Sequence, residues 1–269
     1  MILAHRAALD GVQLDEIDPR IIIKAIEGGA GKESVSSAGT GSGDGSRITG
    51  KRREMMEIQV KFSMNIRRDA MAERAAVLEA VNAWAARCGW LTISYKPGRR
   101  IWIDEAVTPG DGDLWKRLSE YTIILRAYAV PFWQQTPAAA SAVTTRTATD
   151  GSGTIAVAGS ARTVADAVLA NRSGATINTA EITVGGKKMR FESLALAANE
   201  SLEIDHEITL GKNLIRIRIR NAAGAFRSAL AKRTAGSADE FEIPPGDCAW
   251  SFSAQRACQL DLSVRGRFK

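Results

Sequence analysis

Glu57-Ile-Gln-Val-Lys-Phe-Ser-Met-Asn-Ile66, followed at once by Arg67 through Cys88, sets the architecture of the first half of this chain. Ile58, Val60, Phe62, Met64 and Ile66 alternate with Gln59, Lys61, Ser63 and Asn65. Successive side chains of a strand point to opposite faces, so a period of two predicts a strand with one apolar and one wet face. The period then changes. Met71, Ala75, Leu78, Val81, Ala85 and Cys88 recur at spacings of three and four, which predicts one helix over about 69–88. Asp69 is its expected N-cap and Gly89 its expected stop. Trp84 sits on the same helix and reads as core.

Upstream, Val12 to Leu14 and Ile21 to Ile23 read as strands separated by a turn at Asp18-Pro19. The stretch 28–50 is rich in Gly, Ser and Thr and cannot bury enough apolar surface to order itself. It is expected to be a flexible loop or a hairpin tip. Gly28-Gly-Ala-Gly-Lys-Glu-Ser34 superficially suggests a phosphate loop, but Ile26 stands where a glycine is needed and Glu33 where a hydroxyl should meet magnesium. That excludes a nucleotide site. Downstream, Trp90 to Tyr95 and Arg100 to Asp104 predict a hairpin, with Pro97-Gly98 suited to a type II turn. A Gly/Asp loop, Pro109 to Asp113, leads to a long strand over Ser119 to Val130. Residues 1–135 therefore form an antiparallel sheet or split-barrel domain with one helix.

The second domain, 136–269, opens with an Ala/Ser/Thr-rich run, Pro137 to Asp150, that reads as a linker or a thinly packed extension. Thereafter short alternating runs recur between turn residues such as Asn171-Arg-Ser-Gly174, Gly185-Gly186 and Pro244-Pro-Gly-Asp247. Many short strands with regular turn signals predict a β-sandwich or jelly roll and no convincing helix. Along Ile215, Ile217 and Ile219 the intervening Arg216, Arg218 and Arg220 form a basic ladder. It is either a solvated strand face or a contact with an acidic neighbouring subunit.

Hydrophobic residues make up 45% of the 269 and charged residues 25%, a soluble globular composition without a membrane-length apolar run. No secretory signal is visible from Met1 to Arg6, so folding in the cytosol of the producing cell is expected. The net charge is +6, but its basic clusters, among them Lys51-Arg52-Arg53 and Arg99-Arg100, accompany no nucleic-acid motif, so no specific nucleic-acid partner is expected. Cys88, Cys248 and Cys258 are too few for a disulfide framework and read as buried thiols, although Cys248 and Cys258 could meet across neighbouring strands. With only His5 and His206, no metal site is expected, and no cofactor. Asp205-His206-Glu207 is the one tempting catalytic triplet. Strand alternation puts His206 opposite its two neighbours, and no enzyme activity is expected. Gly41-Ser-Gly and Gly151-Ser-Gly read as loop composition, not as a nucleophile elbow.

The order of parts resembles the distal tail protein (Dit) family of siphophages. The resemblance is carried by Ile58 to Ile66, the helix with Leu78, Val81 and Trp84, Leu91 to Tyr95, and Tyr121 through Pro131-Phe132-Trp133. In the second half it is carried by Leu202 to Asp205, Pro245 to Phe252 and Leu260 to Phe268. It implies a hexameric hub ring that joins the tail tube to tail-tip or receptor-binding proteins, in a virion tail assembled in the host bacterial cytoplasm. The N-terminal domains would form the ring and galectin-like sandwiches would face outward. Lys51, Arg52, Arg53, Arg216, Arg218 and Arg220 are then candidate subunit-contact residues. The alternative reading is a carbohydrate- or cell-wall-binding sandwich module. Trp250, Phe252, Phe241 and Ile243 look like core and aromatics total 6%, so only a weak glycan contact is expected.

Overall fold

The computed structural model describes residues 5–39, 46–110, 120–209 and 212–269. They fall into two compact units, one built on Met1–Trp133 and one on Gln134–Glu207 with Asn213–Phe268. Both are mainly β and antiparallel. The first contains β1 (Ala7–Leu9), β2 (Val12–Gln13), the one-turn helix α1 (Leu14–Ile17), β3 (Ile21–Gly39) and β4 (Ser46–Met64). It continues with α2 (Met71–Ala85), β5 (Gly89–Ile93), β6 (Arg99–Ile103), β7 (Glu105–Val107) and β8 (Tyr121–Ala127). Strands β2-β1-β5-β6 lie side by side, as do β3-β4-β8-β7.

The alternation is realised over 57–64 as the end of β4, while Asn65 and Ile66 fall outside the strand and Ile66 is only half-buried. Ile58, Val60 and Phe62 are buried and face Leu125, Ile123 and Tyr121 of β8 in direct register. Phe62 stacks on Tyr121 with ring centroids 5.6 Å apart, an arrangement that adds to the area both rings bury. Helix α2 covers this core, but its buried face is Arg74, Val77, Leu78, Val81, Trp84 and Ala85. Met71 and Ala75, expected on that face, are only half-buried. The helix phase is set by Arg74, whose guanidinium reaches inward to donate a 2.6 Å hydrogen bond to the Tyr121 hydroxyl. The N-cap is Ala70, not Asp69, and no side chain caps the first turn. The helix ends at Ala85, earlier than expected, and Cys88 and Gly89, whose backbones take the left-handed region (φ 50° and 108°), redirect the chain into β5. At the β5–β6 hairpin Gly98 has φ 69°, as a type II turn with Pro97 before it requires, and the Arg99 N–H closes the turn on the Lys96 carbonyl.

Strand β2 is two residues long, and Leu14, expected at its end, opens α1 instead. The Gly/Ser-rich segment is not a loop over its described residues. β3 and β4 run antiparallel from Ile21↔Met64 out to Gly39↔Ser46, with register shifts near Ile23, Gly28, Lys32 and Ser36. The backbone ladder provides the order that the side chains of such a composition cannot, and each shift adds twist. Gly28 is needed at its position. It has φ 117°, and a Cβ there would lie 2.4 Å from the Glu57 carbonyl oxygen. The expected loop tip between 40 and 45, like Asp111 to Ser119, lies outside the described residues.

From β9 (Trp133–Gln135) the second unit runs through β10 (Ser141–Thr144), β11 (Ala148–Val157), β12 (Thr163–Asn171), β13 (Ala180–Val184) and β14 (Lys187–Phe191). Then come β15 (Ser201–Thr209), β16 (Lys212–Arg220), β17 (Phe226–Ser228), β18 (Glu242–Ile243), β19 (Gly246–Val264) and β20 (Arg267–Phe268). A ten-stranded sheet, β14-β13-β19-β12-β15-β16-β17 with β10, β11 and β18 attached, curls into a β-sandwich. Strand β19 makes the curl. Its first half pairs with β11 and β13, its second with β10 and β12, and residues between Ser253 and Cys258 bulge at the bend. The bulge keeps the phase, so Cys248, Trp250 and Phe252 before it and Cys258, Leu260, Leu262 and Val264 after it all enter one core.

The run 137–150 is therefore no linker: β10 lies in register on β19, Ser141 opposite Val264. Gly151 and Gly153 are strand residues as well. A Cβ on Gly151 would meet the Phe252 ring at 2.6 Å, and one on Gly153 the Trp250 ring at 2.8 Å. The Gly-Ser-Gly pattern makes room for two core aromatics.

Candidate interaction surfaces

The basic ladder is built by two facing strands of opposite charge. On β16, Ile217 and Ile219 are buried, which turns Arg216, Arg218 and Arg220 to the outer face. On β15, Leu202 and Ile204 are buried and Glu203, Asp205 and Glu207 take that same outer face. Arg216 meets Asp205 at 2.9 Å and Glu207 at 2.8 Å; Arg218 meets Asp205 at 2.9 Å and Glu203 at 3.2 Å; Arg220 meets Glu203 at 2.8 Å. The hydrogen bond from Arg216 to Asp205 holds the guanidinium above its ordinary range, against a smaller desolvation effect. Three cations and three anions thus neutralise one another inside the chain. Networks of this kind hold two strands in one register more than isolated exposed pairs do.

Lys51, Arg52 and Arg53 lie on β4 opposite Val35, Ser34 and Glu33 of β3. Backbone register alone places them far out on the β3–β4 arm. They belong to one unit and the arginine ladder to the other.

Asp205, His206 and Glu207 split as alternation requires. His206 turns inward, its side chain 3% exposed, with Nδ1 3.0 Å from Asp166 and Nε2 3.6 Å from Glu240. Asp166 also accepts the His206 backbone N–H and a guanidinium bond from Arg265. An imidazole this enclosed braces β12 against β15 and has no open side for a substrate. Among the described residues no three His, Cys, Asp or Glu side chains gather to hold an ion. Cys248 and Cys258 sit on the same strand, β19, and so do not meet across neighbouring strands. Burial pushes the Cys258 thiol up to about 11, which suppresses the thiolate a nucleophile needs.

Trp250, Phe252, Phe241 and Ile243 are all buried, as expected of core. Among the described residues of this unit, Phe226 on edge strand β17 is an exposed aromatic that the sequence did not mark. Its ring carries the Arg218 guanidinium at 3.9 Å. A lone Phe between Ala225 and Arg227 carries no periodic signal. Only its pairing opposite Arg220 reveals which face it joins.

No family model matches the chain, and no curated protein does. Solved structures do. The chain is similar to the Dit protein of phage SPP1 (gp 19.1), described as a paradigm of the hub adsorption apparatus in phages that infect Gram-positive bacteria. The TM-score is 0.65 at 16% identity, over 97% of this chain and 98% of that one. It is also similar to a chain of the phage p2 baseplate in its activated, strontium-bound conformation, with TM-score 0.50, 6% identity and 97% of each chain covered. At these identities the likeness is one of fold, and it extends over both units.

Proposed function

We propose that this chain, which shares its whole fold with the SPP1 hub protein, is a structural, non-catalytic hub component of a phage tail tip. Six copies form a ring that joins the tail tube to tail-tip or receptor-binding proteins, and its place is the virion tail. The observation that carries this reading is the full-length agreement of fold in both directions, because a shared domain alone would cover only part of either chain.

The physics of the first unit supports it. In the order β3-β4-β8-β7, β3 is an edge with a neighbour on one side only among the described residues, and it is 19 residues long. An edge of that length presents a row of backbone donors and acceptors that another chain can pair with. Head-to-tail contacts of this kind close into rings when the rotation allows. Lys51, Arg52 and Arg53 on the arm are the subunit-contact cations of this reading. Arg216, Arg218 and Arg220 contribute less, because carboxylates of their own chain already face them.

The arm is the part to remove. Replacing Glu33–Glu54 by Asn-Gly closes β3 onto β4 at Lys32 and Met55, which are already in register. The shortened chain is expected to keep the melting temperature of the full chain and to associate at least about tenfold more weakly in sedimentation. Unchanged association, or a collapsed melt, would show that the arm belongs to something other than assembly.

A further inference from the structure

Strand β11 is an edge of the sandwich. It pairs with β19 on one side and, among the described residues, with no strand on the other. Which of its backbone groups point outward follows from β19. The Gly185 N–H donates to the Ala249 carbonyl, so Ala249 turns its polar groups toward β13. These directions alternate along a strand, so Cys248, Trp250 and Phe252 turn theirs toward Ile155, Gly153 and Gly151 of β11. Ser152, Thr154 and Ala156 therefore aim N–H and C=O away from the ladder, and all three are exposed. Those outward groups meet no backbone partner among the described residues.

Edges β14 and β17 of the same sheet are guarded. Residues 232–238 cover β14 with backbone hydrogen bonds to Lys188, Arg190 and Glu192. Strand β17 is three residues long and carries Arg227. A lysine, a proline, a bulge or short length ordinarily blunts an edge, and Gly151 to Val157 has none of these. The core is also least covered here. Gly151 and Gly153 contribute no side chain, and Trp250, opposite Gly153, is 8% exposed, more than any other residue buried in that core. Asp150 stands at one end of the stretch and Asp247, opposite Ala156, at the other. Both are exposed, and neither makes an ion pair among the described residues.

We propose that β11 receives an extended segment of a partner protein as an added strand, held by the backbone groups of Ser152, Thr154 and Ala156. Its β-branched apolar side chains turn inward beside Gly151 and Gly153, and a basic residue at each end faces Asp150 and Asp247. A second copy of β11 fits less well. It would bring its own Asp150 to an end that is already acidic, and antiparallel self-pairing is a two-fold contact that closed head-to-tail rings do not use. The assignment gives the hub a partner surface but does not rest on the ring, since a monomer presents the same edge.

The test is fluorescence anisotropy of the peptide Lys-Val-Thr-Val-Thr-Val-Lys, dye-labelled and titrated with the full chain. Binding is expected at about 0.1–1 mM. Thr154→Pro removes an outward N–H and no ladder bond, so the melt is expected to hold while the peptide binds at least about tenfold more weakly. Asp150→Lys combined with Asp247→Lys is expected to shift preference at least about tenfold toward Glu-Val-Thr-Val-Thr-Val-Glu, and it carries the test if Thr154→Pro does not fold. Self-association of Thr154→Pro is expected to match the parent's, ring or monomer alike, which separates this result from failure of the hub reading. The proposal is overturned if the Lys-ended peptide does not bind, if Thr154→Pro binds it as the parent does, or if the parent binds the Glu-ended peptide equally well. It is overturned as well if Thr154→Pro loses self-association, which would make a second copy the occupant.

Discussion

Asn171→Asp is expected to destabilise the second unit by about 4 kcal/mol at pH 7, from a change of one atom type. The Asn171 side chain is fully buried at the end of β12. Its Nδ2 donates toward the carbonyls of Ala175, Leu196 and Ala197 at 2.9, 2.9 and 3.0 Å, while Oδ1 accepts the Ser173 N–H and hydroxyl. One amide thereby fastens the turn after β12 to the segment before β15. A carboxylate would set a negative oxygen against three carbonyls with no cation among its hydrogen-bond partners, so its folded-state pKa must rise. The sign follows from that. A raised carboxyl pKa leaves the cost fully present well above the unfolded value of about 3.9 and removes it as pH falls below that value. The variant should thus recover most of its lost stability near pH 3, leaving about 1 kcal/mol for the missing second N–H. Urea unfolding at the two pH values checks this, and an equal deficit at both would rule out the charge as the cause.

Trp84→Ala should cost the first unit about 3–5 kcal/mol, a large part of a typical domain's stability. Trp84 is 1% exposed on α2, and its indole N–H donates to the Val12 carbonyl at 2.7 Å. The side chain therefore packs the helix against the core and also ties it to β2. Trp84→Phe separates these contributions. It keeps most of the volume and orphans one carbonyl, for an expected loss of about 1–3 kcal/mol. Denaturant midpoints for both variants decide the matter. A Trp84→Ala chain as stable as the parent would mean that α2 is not packed as described.

The strand at 57–66, the helix, the Pro97-Gly98 hairpin and the sandwich were all legible because each rests on periodicity or turn chemistry within a few residues. What stayed hidden depends on partners distant in sequence. Arg74 reads as a polar helix residue until Tyr121 stands opposite it. Asn171 reads as turn punctuation until the carbonyls of residues 196 and 197 surround it. Gly151 and Gly153 read as loop until the rings of Phe252 and Trp250 need their space. The ladder was half legible. Glu203, Asp205 and Glu207 alternate just before Gly211 in the sequence, and Arg216, Arg218 and Arg220 alternate just after it, so the pairing of opposite charges was available in the spacing.

Negative-stain images of the purified full chain over a rising concentration series test the central claim most directly, since they need no knowledge of host or ligand. The hub reading predicts closed rings of six subunits, more abundant as concentration rises. Isolated single subunits at every concentration, with no rings, would contradict it.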